Sequence, residues 1–523
     1  MKKIILSLFV TVVTVLASSH AIAQKIEAQT ATYVRNGLSI HFATPSGFSN
    51  DVLNSIKVAG KYDDNSFGDN ILRLNSSYSG QGSSSNDKKS KTTSLVESEA
   101  ATPEYQAVLE AIASQKIPNK VLAKILLNAS GKVDYTATIF KRGEYNATDN
   151  TMIAANASNE GLSAVQSDAI SNVVNNIYLL IQQTGTITSK SSKDGSTYSV
   201  PFKSYLLQVD LSELFATNQF YKTFSENDAD VAAKINNYNF KIKLISVSEG
   251  IGSTSDKELE LQGLKMVSTP KSQEQIYTDL ATATIDGGLI DHANNYEAFK
   301  VKTRINSVGP ITAKIGKKEG LRIDDRFEVF RNKIDEKSGE KFARKLGYLR
   351  VAKVADNEKV ADGNSEPSKF YKAPARGVEK NDVMKELPET GIQVGVEIAA
   401  FSGLDGESVT APMVNIDYVT HLIKGNRLTA SYLNYGGQNL LLAEARQILQ
   451  LNRLTLTPGF GYIFALSSDG STTSDEPGGI SASFKIGLEF GKHFQIQAGP
   501  RFLASETGEV AAGFGFGLRL FGF

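Results

Sequence analysis

The sequence predicts a multidomain chain: an N-terminal α+β module, a small all-β module and a C-terminal eight-stranded antiparallel transmembrane β-barrel. Three observations carry that prediction. The first 24 residues follow the charge, apolar and small-residue order of a secretory signal peptide. After Leu387-Pro388-Glu389 charge thins out while glycine rises. From Gly391 onward apolar residues recur at every second position, in segments of about ten residues, up to a closing FGFGLRLFGF.

Length and composition set the frame. The 523 residues are enough for about three domains of roughly 150 residues each. Basic and acidic residues balance at 56 each, so no global field points to nucleic acid, which is not expected as a partner. The absence of cysteine removes disulfides, thiolate metal sites, cysteine nucleophiles and a lipidated N-terminal cysteine. Five scattered histidines (His20, His41, His292, His421, His493) leave little for metal binding or general-base work.

In MKKIILSLFVTVVTVLASSHAIAQ two lysines precede an apolar run from Ile4 to Ala17, and Ala21-Ile22-Ala23 stands before Gln24. Cleavage after Ala23 is expected, so residues 1–23 form the signal peptide. The run is short for an uncleaved anchor of about 20 residues. No later stretch reaches 18 uninterrupted apolar residues, so any membrane crossing falls to a barrel.

Residues 24–290 read as an α+β module. Helical spacing appears over about 103–128 and 158–174, including Leu162, Val165 and Ile170; YLLQVDL (205–211) and FKIKLISV (240–247) read as strands. The Ser-rich tracts 75–100 and 184–199 read as loops. The stretch KVDYTATIFKRGEYNATDNTMIAANASNEGLSAV resembles exported envelope proteins of the Bacteroidota type, a resemblance of a few dozen residues that implies no activity.

Residues 295–388 read as a small β-barrel-like module. FKVKTRINSVGPITAKIGKKEGLRIDDRFEVFRNKID is strand, turn and strand, with Ile323, Phe327 and Val329 as apolar strand positions. GYLRVAKVADNEKVADGN follows as a second hairpin and Ser368 to Tyr371 as a closing strand. The order Lys-Glu-Gly-Leu, Asp-Asp-Arg-Phe-Glu-Val-Phe, Gly-Tyr-Leu-Arg-Val is similar to small periplasmic modules, including the C-terminal module of a flagellar assembly protein. The resemblance implies a folding or interaction role without catalytic residues.

Residues 391–523 divide into eight strands, at about 391–401, 411–423, 426–436, 439–449, 451–466, 479–490, 493–503 and 509–523. The fourth, around LLLAEARQILQ, fits a helix equally well. Long polar connections (402–411 and 467–479) contrast with tight turns at Lys424-Gly425-Asn426 and Gly491-Lys492-His493. That is the loop asymmetry of an outer-membrane barrel, and an even strand count puts the N-terminal region and the C-terminus on one, periplasmic, side. In the last strand Phe514, Phe516, Leu518 and Leu520 share one face and Gly515, Gly517 and Arg519 the other. The terminal Phe523 resembles the closing residue that outer-membrane barrels present to their assembly machinery. Its parity differs from that of Phe514 to Leu520, and a bulge at Leu520-Phe521 would reconcile them.

Bulky residues on one face with Gly, Ser, Thr and some charges on the other suit a narrow lumen filled by side chains. Glu397, Asp417, Arg453, Lys485, Glu489, Arg501 and Arg519 fall on the lumen face, where charges must pair. Tyr418, Tyr432, Tyr435 and Tyr462 are candidates for an interfacial belt. The competing reading is a soluble exported binding or adhesion protein with a C-terminal β-sandwich.

Chemistry is scarce. Ser85 and Lys88 have an acyl-transfer spacing but lie in a polar tract, the stretch from Asp63 has Phe67 at a ligand position of a calcium loop and Leu74 where its bidentate carboxylate should be, and Gly513 to Gly517 sits in a strand rather than before a helix. The expectation is a non-enzymatic protein without cofactor or metal. Outer-membrane lipid, the barrel-assembly machinery and a periplasmic protein or glycan are its expected partners.

Overall fold

A computed structural model describes residues 26–27 and 36–521, apart from 57–61, 66–70, 75–95, 139–169, 335–340, 358–365, 403–407, 467–477 and gaps of one to three residues. The signal peptide with Ala21, Ala23 and Gln24, the Gly491 to His493 turn, Leu162, Val165 and Phe523 lie outside the described residues.

The N-terminal module is built on a sheet in which β1 (Gly37–Thr44) runs parallel to β2 (Ile177–Thr184). Strands β3 (Gly195–Asp210) and β4 (Lys241–Ser255) continue it antiparallel. Every residue of β2 is buried, which explains its unbroken apolar run IYLLI. Helices cover both faces. On one, α2 (Pro103–Ser114) and α3 (Ile117–Leu126) bring Val108, Ile112, Val121 and Leu122 onto Leu179 and Leu207. On the other, α1 (Asn50–Ser55) and α4 (Gln273–Asn295) bring Leu53, Ile276 and Leu280 onto Leu180 and Leu206. Local signals start the helices: Thr102 Oγ1 accepts from Tyr105 N at 3.2 Å ahead of Pro103, and Ser272 with Gln275 forms a capping box.

Helix α4 was not legible from apolar periodicity, and it runs past residue 290 to Asn295. It lies so close to β3 that a Cβ on Gly288 would come within 2.9 Å of Ser204 Oγ, so small residues stand where a periodic pattern needs large ones. His292 of α4 is fully buried, hydrogen-bonded to Ser204 and Ser246, and burial lowers its pKa to about 3, so it stays neutral. The tract 184–199 departs from the expected loop. Thr188–Ser192 pairs with Gly195 to Ser199 as an exposed polar ribbon, because β-pairing there needs only backbone groups.

The middle module is one antiparallel sheet. Lys302–Arg304, β8 (Val383–Leu387), β5 (Arg326–Ile334), β6 (Lys341–Lys353), β7 (Ser368–Ala375), Ile311–Ala313 and Ser307–Val308 lie in that order. Phe327, Val329, Leu349, Val351, Phe370 and Met384 form its core. GYLRVAK is the second half of β6, paired with β7, instead of a hairpin of its own.

The C-terminal region is a closed barrel of β9 (Ile392–Ser402), β10 (Ser408–Val419), β11 (Asn426–Tyr435), β12 (Gln438–Gln447), β13 (Leu454–Leu466), β14 (Gly479–Phe490), β15 (Phe494–Ser505) and β16 (Val510–Leu520). Each pairs antiparallel with its sequence neighbour, and β9 pairs with β16 to close the ring. LLLAEARQ is a strand; the pairing interrupts at Ile448 and resumes over Leu449–Leu451.

Side-chain polarity is inverted relative to a water-soluble barrel. Ile398 and Phe514 face outward at 57% and 59% exposure, while Glu397 and Arg519 face inward at 2% and 1%. Closure and inversion together replace the sandwich alternative: only hydrocarbon accommodates such an outer face. The bulge at Leu520-Phe521 is not formed. Strand β16 keeps unbroken register to Leu520, and Phe521 then turns inward and is buried.

Candidate functional site

The barrel interior has two parts. Toward the end carrying the long connections, Ala399, Phe401, Met413, Leu433, Leu442, Ile463 and Leu503 fill the lumen with apolar groups. Below them lies a charge network. Glu444 accepts from Arg446 Nε at 2.9 Å, from Arg501 Nη1 at 2.7 Å and from Ser481 Oγ at 3.0 Å. Arg519 Nε stands 2.9 Å from Asp417 Oδ2, Arg446 Nη1 reaches Asp417 Oδ1 at 3.4 Å, and Lys485 pairs with Glu397. Glycines make room. A Cβ on Gly515 would overlap Glu397 Oε1, and one on Gly461 would lie 2.0 Å from the Ala443 carbonyl oxygen.

Of the lumen charges expected from sequence, Glu397, Asp417, Lys485, Glu489, Arg501 and Arg519 are buried in the barrel. Arg453 is not: it is exposed in the turn before β13, where alternation has already ended. The sequence reading missed Arg427, Glu444 and Arg446. As a helix, LLLAEARQ would put Glu444 and Arg446 on different faces; as a strand, their two-residue spacing puts both inward. Tyr418 and Tyr432 are exposed on the outer face, but Tyr435 packs edge-on to the buried Phe401, 5.3 Å between centroids, and is not a belt residue.

At the opposite end the middle module seats against the barrel mouth through two ion pairs of opposite sense. Asp324 of the module accepts from Arg427 Nη1 of the barrel at 2.8 Å, and Arg326 Nη2 of the module stands 3.6 Å from Glu489 Oε1 of the barrel. Asp324 sits in a left-handed turn (φ 69°), a conformation that Asp tolerates, just before β5. Its carboxylate also accepts from Gly425 N at 2.7 Å and Tyr371 OH at 2.6 Å, and its carbonyl from Arg350 Nη1 at 3.0 Å. Burial would raise its pKa, but the Arg427 and Arg350 guanidiniums outweigh burial and hold it below the usual carboxylate range.

Arg326 is fully buried. It donates to Glu389 Oε1 at 3.1 Å and lies over the Tyr348 and Phe521 rings at 4.2 and 5.0 Å. Two further contacts fix the seat: His421 Nδ1 donates to the Ile323 carbonyl at 2.6 Å, and Ala375 N to Asn452 Oδ1 at 3.0 Å. Burial, with Arg322 nearby, lowers the His421 pKa. A cavity of about 480 Å³ opens beside the seat, where Asp286 of α4 faces Arg322, Glu389 and His421. The junction residues lie in LRIDDRF, a stretch that reads in sequence as a turn and strand only.

The fold and this site define a membrane-embedded barrel coupled to a folded two-module region. Three solved barrels are similar to its C-terminal quarter. The N-terminal β-barrel domain of Pseudomonas aeruginosa OprF matches 24% of this chain and 96% of its own at 19% identity, TM-score 0.18. Neisserial surface protein A matches 25% and 96% at 15% identity, TM-score 0.19. Ail, the attachment invasion locus protein of Yersinia pestis, matches 25% and 95% at 13% identity, TM-score 0.16. No protein-family model and no curated protein matches the chain. The resemblances of the upstream modules to exported Bacteroidota-type proteins and to a flagellar assembly module find no counterpart in these comparisons.

Proposed function

We propose that the chain is an exported outer-membrane protein whose barrel is an anchor, holding the two upstream modules on the periplasmic side, where they bind a protein or glycan of the envelope. The observation that carries the reading is a lumen filled along its length, by apolar side chains at one end and paired charges and the docked module at the other. Such an interior leaves no aqueous path, so the barrel supplies attachment rather than transport. The upstream modules act by binding and not by catalysis. The test is to express the chain with its first 23 residues, fractionate the envelope and run the protein in detergent with and without boiling. A heat-dependent mobility shift in the outer-membrane fraction, with no solute leakage from reconstituted vesicles, is expected. A soluble protein without a shift overturns the anchor, and leakage overturns the closed lumen.

A further inference from the structure

The turn between β10 and β11 carries two apolar residues that stand mostly exposed. Leu422 is 77% exposed, the highest value among the exposed large apolar residues described, and Ile423 is 60% exposed. They stand between two pins. On one side His421, held in a left-handed conformation (φ 56°), is bonded to the Ile323 carbonyl; on the other Gly425 N is bonded to Asp324. With both ends of the turn tied to the middle module, the two residues between them are held out from the barrel rim. A left-handed histidine is a conformation that surrounding structure must enforce, and these bonds supply the enforcement.

The neighbouring turn adds to the patch. Ile448 N donates to the Gly425 carbonyl at 2.7 Å, and beyond it Leu449 and Leu451 are 49% and 59% exposed. Above the patch the outer wall continues with Tyr418, Leu428 and Ile416, all exposed. Leu422 and Ile423 thus prolong the lipid-facing wall past the strand ends, beside the exposed Leu449 and Leu451 of the short strand paired with β13, on the side where the module sits. Lys424 follows at once, its Nζ 4.3 Å from the centre of the Tyr371 ring of the module.

We propose that this patch enters the lipid leaflet on the module side: Leu422 and Ile423 lie among acyl chains near the headgroups, and Lys424 lies at headgroup level. The occupant is phospholipid, because the patch is continuous with a wall that already faces hydrocarbon and ends in a cation. The inference rests on the membrane reading of the barrel. It adds a second lipid contact, made by the turn that also grips Asp324, so the middle module rides at a fixed height on the membrane surface.

The chain contains no tryptophan, so single-tryptophan variants of the full chain report each site without background. Ile423→Trp, Phe514→Trp in the outer wall and Ile334→Trp in the middle module would be reconstituted into phosphatidylethanolamine/phosphatidylglycerol vesicles carrying lipids brominated at shallow or deep acyl positions. Ile423→Trp should emit blue-shifted light and lose about half its intensity or more to the shallow quencher. Phe514→Trp should be quenched most by a deep one, and Ile334→Trp by neither. Quenching of Phe514→Trp with none of Ile423→Trp overturns the proposal while leaving the barrel reading intact. Absence of quenching at both sites overturns the barrel reading itself. Leu422→Trp repeats the measurement if Ile423→Trp fails to show the heat-dependent shift.

Discussion

Asp324 and Arg427, 103 residues apart in sequence, meet at 2.8 Å in a pocket where both are almost fully buried. One belongs to the middle module and the other to the barrel. The barrel therefore carries a buried guanidinium whose carboxylate comes from outside the barrel, and Arg326 with Glu489 repeats the arrangement with the signs exchanged.

Asp324→Ala is expected to cost about 3–5 kcal/mol of stability, the usual consequence of stranding one buried charge. Urea unfolding of the full chain in detergent, together with protease cleavage in the 388–391 connection, measures it. Asp324→Ala/Arg427→Met should recover part of the loss, since the cycle removes the stranded charge along with its partner. Strictly additive losses would show that the two residues do not act as a pair.

The junction should respond to acid in two steps. His421 has a folded pKa below the ordinary value of about 6.5. The unfolded state therefore takes the proton first, and its contribution, complete above that value, is lost as pH falls. Asp324, also depressed, adds a second loss only below the ordinary carboxylate value of about 3.9. His421→Gln should shrink the first step in unfolding midpoints measured from pH 8 to 3, leaving the part that the buried His292 contributes, and keep the second. An unchanged profile would remove His421 from the account.

Inside the barrel, Glu444→Ala leaves Arg446 and Arg501 without their shared carboxylate. The temperature at which boiling-sensitive mobility is lost should fall steeply, by the equivalent of about 3 kcal/mol or more. Arg453→Ala, in an exposed turn, should leave it within about 0.5 kcal/mol.

Gly461→Val should prevent closure. A Cβ there would meet the Ala443 carbonyl oxygen at 2.0 Å and the Glu444 Cα at 2.6 Å, both backbone atoms of the paired strand. The expected outcome is complete loss of the heat-dependent shift. Wild-type behaviour would place Gly461 elsewhere than against β12.

The barrel was legible because one chemical contrast repeats at every second residue over most of its strands. The exceptions have local causes. Strand β12 alternates little on its outer side, where Ala443 and Ala445 stand, so Glu444 and Arg446 escaped notice. Helix α4 buries Thr284, Gly288 and His292 among Ile276, Leu280, Ile285 and Leu289, so polar and small residues break its apolar stripe. The junction was illegible for a different reason. Asp324 and Arg326 look like ordinary turn and strand-end charges, and only the fold brings Arg427 and Glu489 to them. Long-range pairing of charges leaves no trace in spacing along one chain.

Phe521, the residue just past β16, lies beneath Arg326 of the middle module, and β16 is the strand that meets β9 to close the ring. The seam of the barrel and the seat of the module are therefore one place. Sealing the ring and seating the module draw on the same few side chains, so a change that loosens one loosens the other.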